Sequence, residues 1–335
     1  MSGSLKVPDK IRHSRILGLG VYRPKRVVTN AELAPRLGLD ESWIEKRSGI
    51  RTRRFSCKEE SLPMMGQAAA GKALAAAGLT AADVGCVVVA TTSHMIQMPS
   101  LASEVGYALG ANRVAAFDVN AACAGFPHAL ALASDMVRAG TSDYVLAIGA
   151  EQSTHIVDPD DPGTAFLFAD GAGAVVVGPS ATPGIGPVVW GSDGSRADAV
   201  GMSGYWEPIL RDDPGLPWPR LSMQGWRVYR WATTELAPIA RQAIEAAGLE
   251  ISDIDVFLPH QANRLIIDAV AKQLGFSDDV VVARDIENSG NTSSASIPLA
   301  LDQLVSTGQV ESGMTALTIG FGSGMVYAGQ VIEIP

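Results

Sequence analysis

The segment Ala76-Ala77-Gly78-Leu79 returns as Ala246-Ala247-Gly248-Leu249, 170 positions further on. The residues after each copy are also alike: TAADVGCVVVATTS (80–93) aligns with EISDIDVFLPHQAN (250–263), with Asp83 falling on Asp253. Each copy is an Ala-rich helical stretch, a Gly stop, a short acidic turn and an apolar run. Gly after a helix is the usual left-handed C-cap, and Val87-Val88-Val89 reads as a strand buried on both faces. A second echo, DYVLAIGAE (143–151) against MTALTIGFG (314–322), has an offset of 171. A chain that repeats itself at this distance is built from two similar halves, expected at 12–180 and 185–335. The Pro/Gly-rich span PSATPGIGP (179–187) connects them, and the period is far too long for a solenoid. Within each half helical patterns alternate with short strands, which predicts a layered α/β fold. The segment 194–223, with its Trp, Pro and Gly, breaks the alternation and is expected to wall or cover a site.

Composition narrows the function. With 47% hydrophobic and 18% charged residues and a mean hydropathy of +0.16, the 335-residue chain can bury a large core. A net charge of −9 (26 Lys+Arg against 35 Asp+Glu) makes the chain as a whole a poor nucleic-acid binder. Three cysteines, Cys57, Cys86 and Cys123, cannot frame a disulfide fold and lack metal-ligand spacing. The polar start MSGSLKVPDKIRHSR has no signal-peptide core, and no apolar run reaches the ~18 residues of a membrane span. A soluble cytoplasmic protein without a metal or membrane contact is expected.

Four motifs carry chemistry. In FDVNAACAGFPHALALASDMV (117–137), Cys123 falls at a strand-to-helix turn. The helix dipole there is expected to lower the thiol pKa and favour a nucleophilic thiolate; a buried structural Cys is the alternative, as assumed for Cys57 and Cys86. In LPHQAN (258–263), His260 ends a strand at the usual site edge of an α/β fold. Its equivalent in the first half is Ala90, so the fold itself does not require a histidine. In ENSGNTSSASIPLAL (287–301), Asn291 precedes a helix, as a cap or as an amide donor. GFGSGM (320–325) makes a tight turn around Ser323, either a hairpin or an oxyanion hole. GLGVYR (18–23) misses the dinucleotide fingerprint, FADGAGAVVVG (168–178) has the wrong order for a phosphate loop, and no G-x-S-x-G elbow occurs.

Cys123, His260 and Asn291 in this order, with VYRPKRVVTN, ESWIEKRSGIRTRRF, ACAGF, FADGAGA, PHQAN, GNTSSAS and FGSG, resemble the β-ketoacyl-acyl carrier protein synthase III family of the thiolase superfamily over nearly the whole chain. The resemblance implies a thiolase-like fold, a duplicated αβαβα five-layer sandwich. It implies a condensing acyltransferase that starts fatty-acid or polyketide chains and needs no metal or redox cofactor. Cys123 would carry the acyl group, and a malonyl carrier thioester would then decarboxylate. His260 and Asn291 would stabilise the enolate, and the N–H groups of Cys123 and Ser323 would hold the oxyanion. Trp43, Arg47, Asn263 and Gly225 would bind CoA or phosphopantetheine, Met98 (from the other subunit of a homodimer) and Phe321 would bound the acyl pocket, and Arg230, Arg264 and Lys272 would dock the acyl carrier protein. The family's second adenine-stacking Arg falls on Pro162, which favours a carrier-protein donor over CoA, and its docking Arg falls on Leu265, one place after Arg264. Two rivals share the resemblance: acyl transfer to a hydroxyl or amine without decarboxylation, and a non-catalytic synthase subunit.

Overall fold

The computed structural model describes residues 12–206 and 215–335. The first sheet holds β1 (His13–Tyr22), β2 (Cys86–Ala90), β3 (Ala115–Val119), β4 (Val145–Gln152) and β5 (Asp170–Ser180), in the order β1-β5-β4-β2-β3. The second holds β6 (Val189–Ser192), β7 (Val256–Pro259), β8 (Val281–Val282), β9 (Thr315–Gly322) and β10 (Val326–Glu333), in the order β6-β10-β9-β7-β8. The two orders are the same permutation. Strand directions match as well: β2 is parallel to β3 and β4, while β4–β5 and β1–β5 are antiparallel. In the second sheet β7 is parallel to β8 and β9, while β9–β10 and β6–β10 are antiparallel.

The sequence echoes have local causes. Helices α1 (Leu62–Ala77) and α4 (Gly225–Ala246) both end near a left-handed glycine, Gly78 (φ 68°) and Gly248 (φ 74°). The acidic turn then closes in the same way twice: Asp83 accepts from the Thr80 N–H and Asp253 from the Glu250 N–H, each at 2.8 Å. Each turn feeds a central strand, β2 or β7. The second echo falls on β4 and β9, which pair with those strands.

Five layers result. In β2, Val87 and Val89 face outward onto α1 and α2 (Leu101–Leu109), packing with Met65, Ala69, Leu101 and Val105. Cys86, Val88 and Ala90 face inward onto α3 (Gly125–Arg138), whose Phe126, Ala129 and Leu130 share one core with Ile297, Ala300 and Leu301 of α6 (Ser296–Ser306) and with Val256 and Leu258 of β7. The outer layer of the second sheet is α4 and α5 (Arg264–Leu274), packed through Ile244, Ile267 and Val270 against Phe257, Leu317 and Ile319. Period-2 alternation on strands covered by helices on both faces explains their unbroken burial. Within the segment 194–223, Val200–Met202 pairs antiparallel with Leu221–Met223. The stretch 207–214 within it lies outside the described residues.

Candidate active site

Three chain segments that are distant in sequence meet where the two sheets' central strands end. Cys123 lies in the single turn Ala122–Ala124 that leads into α3. The turn is tight: Ala122, the residue before the thiol, takes a left-handed backbone (φ 47°). Across from it β9 ends at Gly322, where a Cβ would sit 2.6 Å from the Cys123 nitrogen. Glycine is required there because two backbones touch. His260 comes directly after β7, and its own N–H donates to the Ile319 carbonyl of β9 at 2.7 Å. Asn291 is clamped to the strand-like segment before β5: its N–H donates to Leu167 O (2.8 Å), and the Ala169 N–H donates to its carbonyl (2.9 Å).

Hydrogen bonds orient two of the side chains. The Asn291 Oδ1 accepts from the Ser293 N–H at 2.9 Å, so the amide NH2 is the end left for the cavity. The His260 Nδ1 lies 2.7 Å from Ser296 Oγ, and that oxygen also accepts from the Gln261 N–H at 3.3 Å. Ser296 thus engages the Nδ1 edge and leaves Nε2 facing the cavity; a hydroxyl that donates to Nδ1 puts the ring proton on Nε2. Burial pushes the His260 pKa down to about 3, so the ring is neutral throughout the physiological range. Phe321 stands edge-on to the ring, with centroids 5.5 Å apart.

The thiol departs from expectation. A helix N-terminus favours thiolate, but enclosure by protein dominates and pushes the Cys123 pKa up to about 12. The Glu151 charge adds to the rise and a hydrogen bond with Ser293 opposes it. Enclosure therefore works against the helix end in setting the thiol's ionisation.

Cys123 borders two cavities. The first, of about 570 Å³, is lined by Cys123, His260, Asn291 and Ser323 at its floor and by Trp43, Arg47, Pro162, Asn263, Gly225 and Trp226 further out. Phe321 lines this cavity and not the second. The second cavity, of about 320 Å³, lies between Cys123, Thr92, Ile156, Val200, Met202 and Leu221. The hairpin of 200–223 therefore supplies a wall, as its composition suggested. Met98 lines neither cavity of its own chain and stands 77% exposed. Asn263 reaches the first cavity, but its amide is engaged: Oδ1 caps α5 through the Leu265 N–H (2.8 Å) and Nδ2 donates to Arg47 O (3.1 Å).

At the rim, Arg230 is exposed and stacks over Trp226, 5.1 Å from its ring centroid. Lys272 is exposed on the last turn of α5. Arg264 is instead tied to Glu287 (3.4 Å) and Asp268 (3.9 Å) and packs on Gly49, so it is not a free cation. Trp226 and Tyr229 at the mouth belong to no sequence motif; their only signal is two aromatics in the first turns of an amphipathic helix. Among the described residues no helix is long and apolar enough to cross a membrane.

Known proteins share this sequence pattern and fold. The family model for 3-oxoacyl-[acyl-carrier-protein] synthase III matches residues 117–194, and the model for its C-terminal part matches residues 244–334. The chain is 48% identical over 323 residues to the β-ketoacyl-[acyl-carrier-protein] synthase III of Streptomyces glaucescens, covering 96% of this chain and 97% of that one. It is 48% identical over 320 residues to the mycobacterial synthase III of Mycobacterium avium, covering 96% and 95%. Among solved structures, the priming β-ketosynthase of the R1128 polyketide pathway superposes with a TM-score of 0.97 at 47% identity, covering 99% of both chains. The synthase III of Aquifex aeolicus gives 0.87 at 34% identity, covering 96% and 100%.

Proposed function

Since the chain belongs to the 3-oxoacyl-[acyl-carrier-protein] synthase III family, we propose that it condenses an acyl thioester with malonyl-acyl carrier protein to start a fatty-acid or polyketide chain. The observation that carries this reading is the convergence of Cys123, His260 and Asn291 on one cavity floor, with the sulfur shared by a second, apolar-walled cavity.

In the first half-reaction Cys123 attacks the thioester carbonyl and keeps the acyl group, whose chain occupies the second cavity. The N–H groups of Cys123 and Ser323 hold the tetrahedral oxyanion; one such donor is worth about 3 kcal/mol of barrier. The carrier arm leaves and a malonyl thioester takes its place in the first cavity. The Nε2–H of His260 and the amide of Asn291 donate to its carbonyl, so loss of CO2 leaves an enolate they stabilise. The enolate carbon attacks the acyl carbon and the sulfur is released. A neutral His260 suits this role, since a donor is needed and a net charge is not.

Pro162 stands across the mouth where the resemblance places a second adenine-stacking Arg, and among the described residues no cation stacks on Trp43, which supports a carrier-protein donor over CoA. The cation–aromatic pair Arg230–Trp226 and exposed Lys272 support docking of an acidic carrier. The second cavity supports starters longer than acetyl. A homodimer is supported by the exposed edge strand β3 with Phe117 and by Met95, Ile96 and Met98 nearby, apolar side chains that a second copy would cover.

The test is intact-mass analysis after mixing with a panel of acyl-CoA and acyl-carrier donors, followed by malonyl-carrier protein. An acyl adduct on Cys123, then CO2 and a β-ketoacyl product, is expected. Acyl transfer without CO2 would overturn condensation, and no adduct from any donor would point to the non-catalytic rival.

A further inference from the structure

Four residues line both cavities: Cys123, Phe168, Val200 and Ser323. Two of them are tied together. The Ser323 Oγ donates to the Val200 carbonyl at 2.5 Å, and that hydroxyl has no other hydrogen bond among the described residues. Ser323 directly follows β9, and its own N–H is the oxyanion donor of the proposed reaction. Val200 opens the strand Val200–Met202, whose Gly201 and Met202 line the second cavity together with Leu221 of the paired strand. This strand pair is also pinned to the first half of the chain. The Leu221 N–H donates at 2.7 Å to the carbonyl of Ile156, which lines the second cavity as well.

The turn that begins at Ser323 is shaped from outside. Gly324 (φ 79°) and Met325 (φ 40°) both take left-handed backbones, and Met325 is completely buried. A methionine keeps that conformation only when its surroundings impose it. Two bonds that impose it come from the same neighbourhood: the Ser323 hydroxyl to Val200, and the Asp193 N–H to the Met325 carbonyl at 3.2 Å. An oxyanion donor works only within hydrogen-bond distance of the developing charge, so a small displacement of this turn weakens it.

Resting on the acyl-enzyme reading, we infer that the Ser323 hydroxyl couples the wall of the acyl cavity to the oxyanion hole. Starters are then selected by how fast they acylate Cys123 and not by how tightly they bind. A chain that fits between Ile156, Met202 and Leu221 leaves Val200 in place and the Ser323 N–H on the oxyanion. A chain that is too long displaces the strand pair, and the tie carries that displacement to the donor. Binding is spared because the donor meets full charge only as the tetrahedral state forms. Ser323 is a catalytic residue through its N–H, while its hydroxyl is a positioning group that lets Met202 and Leu221 act on the rate.

The experiment measures single-turnover acylation of Cys123 by intact mass, for straight-chain acyl donors of increasing length. It compares the wild type with Ser323→Ala, which keeps the N–H and removes the tie. Each donor gives a limiting rate and a half-saturating concentration. In the wild type the limiting rate should vary at least about tenfold across the series, while half-saturation stays within about threefold. In Ser323→Ala the best starter should slow about tenfold and the spread of limiting rates should shrink to about threefold. A variant that keeps the wild-type ratios between starters, slowed or not, would overturn the coupling. So would a wild type in which chain length is read in half-saturation instead of limiting rate, an outcome that needs no variant. Failure of the wild type to acylate with any donor would count against the proposed function instead.

Discussion

At the residue scale, the site depends on hydrogen bonds that set which atom of each side chain meets the substrate. Ser296 does this for His260, so Ser296→Ala should release the ring to either tautomer. Decarboxylation of a malonyl thioester is expected to fall about tenfold while Cys123 acylation is unchanged, measured as CO2 release against intact mass. The same ring makes a pH prediction. Its folded pKa of about 3 lies below the free value, so between pH 6.5 and 3 the unfolded chain binds a proton that the folded chain refuses. Stability therefore falls with falling pH in that window, by up to about 1.4 kcal/mol per unit from this group. Urea midpoints of His260→Gln should lack that share of the acid slope; equal slopes would refute it. The identities of Cys123, His260 and Asn291 were legible because each sits in a compact motif. The state of the thiol was not, because a local motif reports the helix end and not the protein closing around it. Thr92 and Ser293, which line the second cavity, were missed for a related reason: hydroxyls on separate segments leave no pattern until the fold assembles them.

At the element scale, the duplication was readable because both halves need the same parts: a glycine-stopped helix, an acidic turn, and a strand buried on both faces. The wall hairpin was less so, since Val200–Met202 and Leu221–Met223 are too short to alternate recognisably and lie far apart in sequence. Where strand β9 meets the Cys123 turn, the approach is closer than any side chain permits. Gly322→Ala would place a Cβ 2.6 Å from the Cys123 nitrogen and 2.8 Å from the Ala122 Cβ. One of these backbones must shift, so acylation should slow at least tenfold with a modest loss of stability, of order 1–3 kcal/mol. Stopped-flow acylation and thermal melts check the two parts separately.

At the scale of the whole molecule, the first sheet ends in β3, an edge strand whose Phe117 is 38% exposed, and Met98 is 77% exposed. A second copy that covers this edge should make the protein sediment as a dimer, and Phe117→Asp should shift it toward monomer; a monomeric wild type would refute the expectation. The position of the sulfur between two chambers has a kinetic consequence. The starter's tail can remain in the inner chamber while its former carrier departs, but both thioesters must use one outer corridor in succession. Double-reciprocal plots at several fixed concentrations of one thioester should therefore run parallel. Crowding the medium with the malonyl partner should slow turnover, because it occupies the corridor before the starter has been loaded.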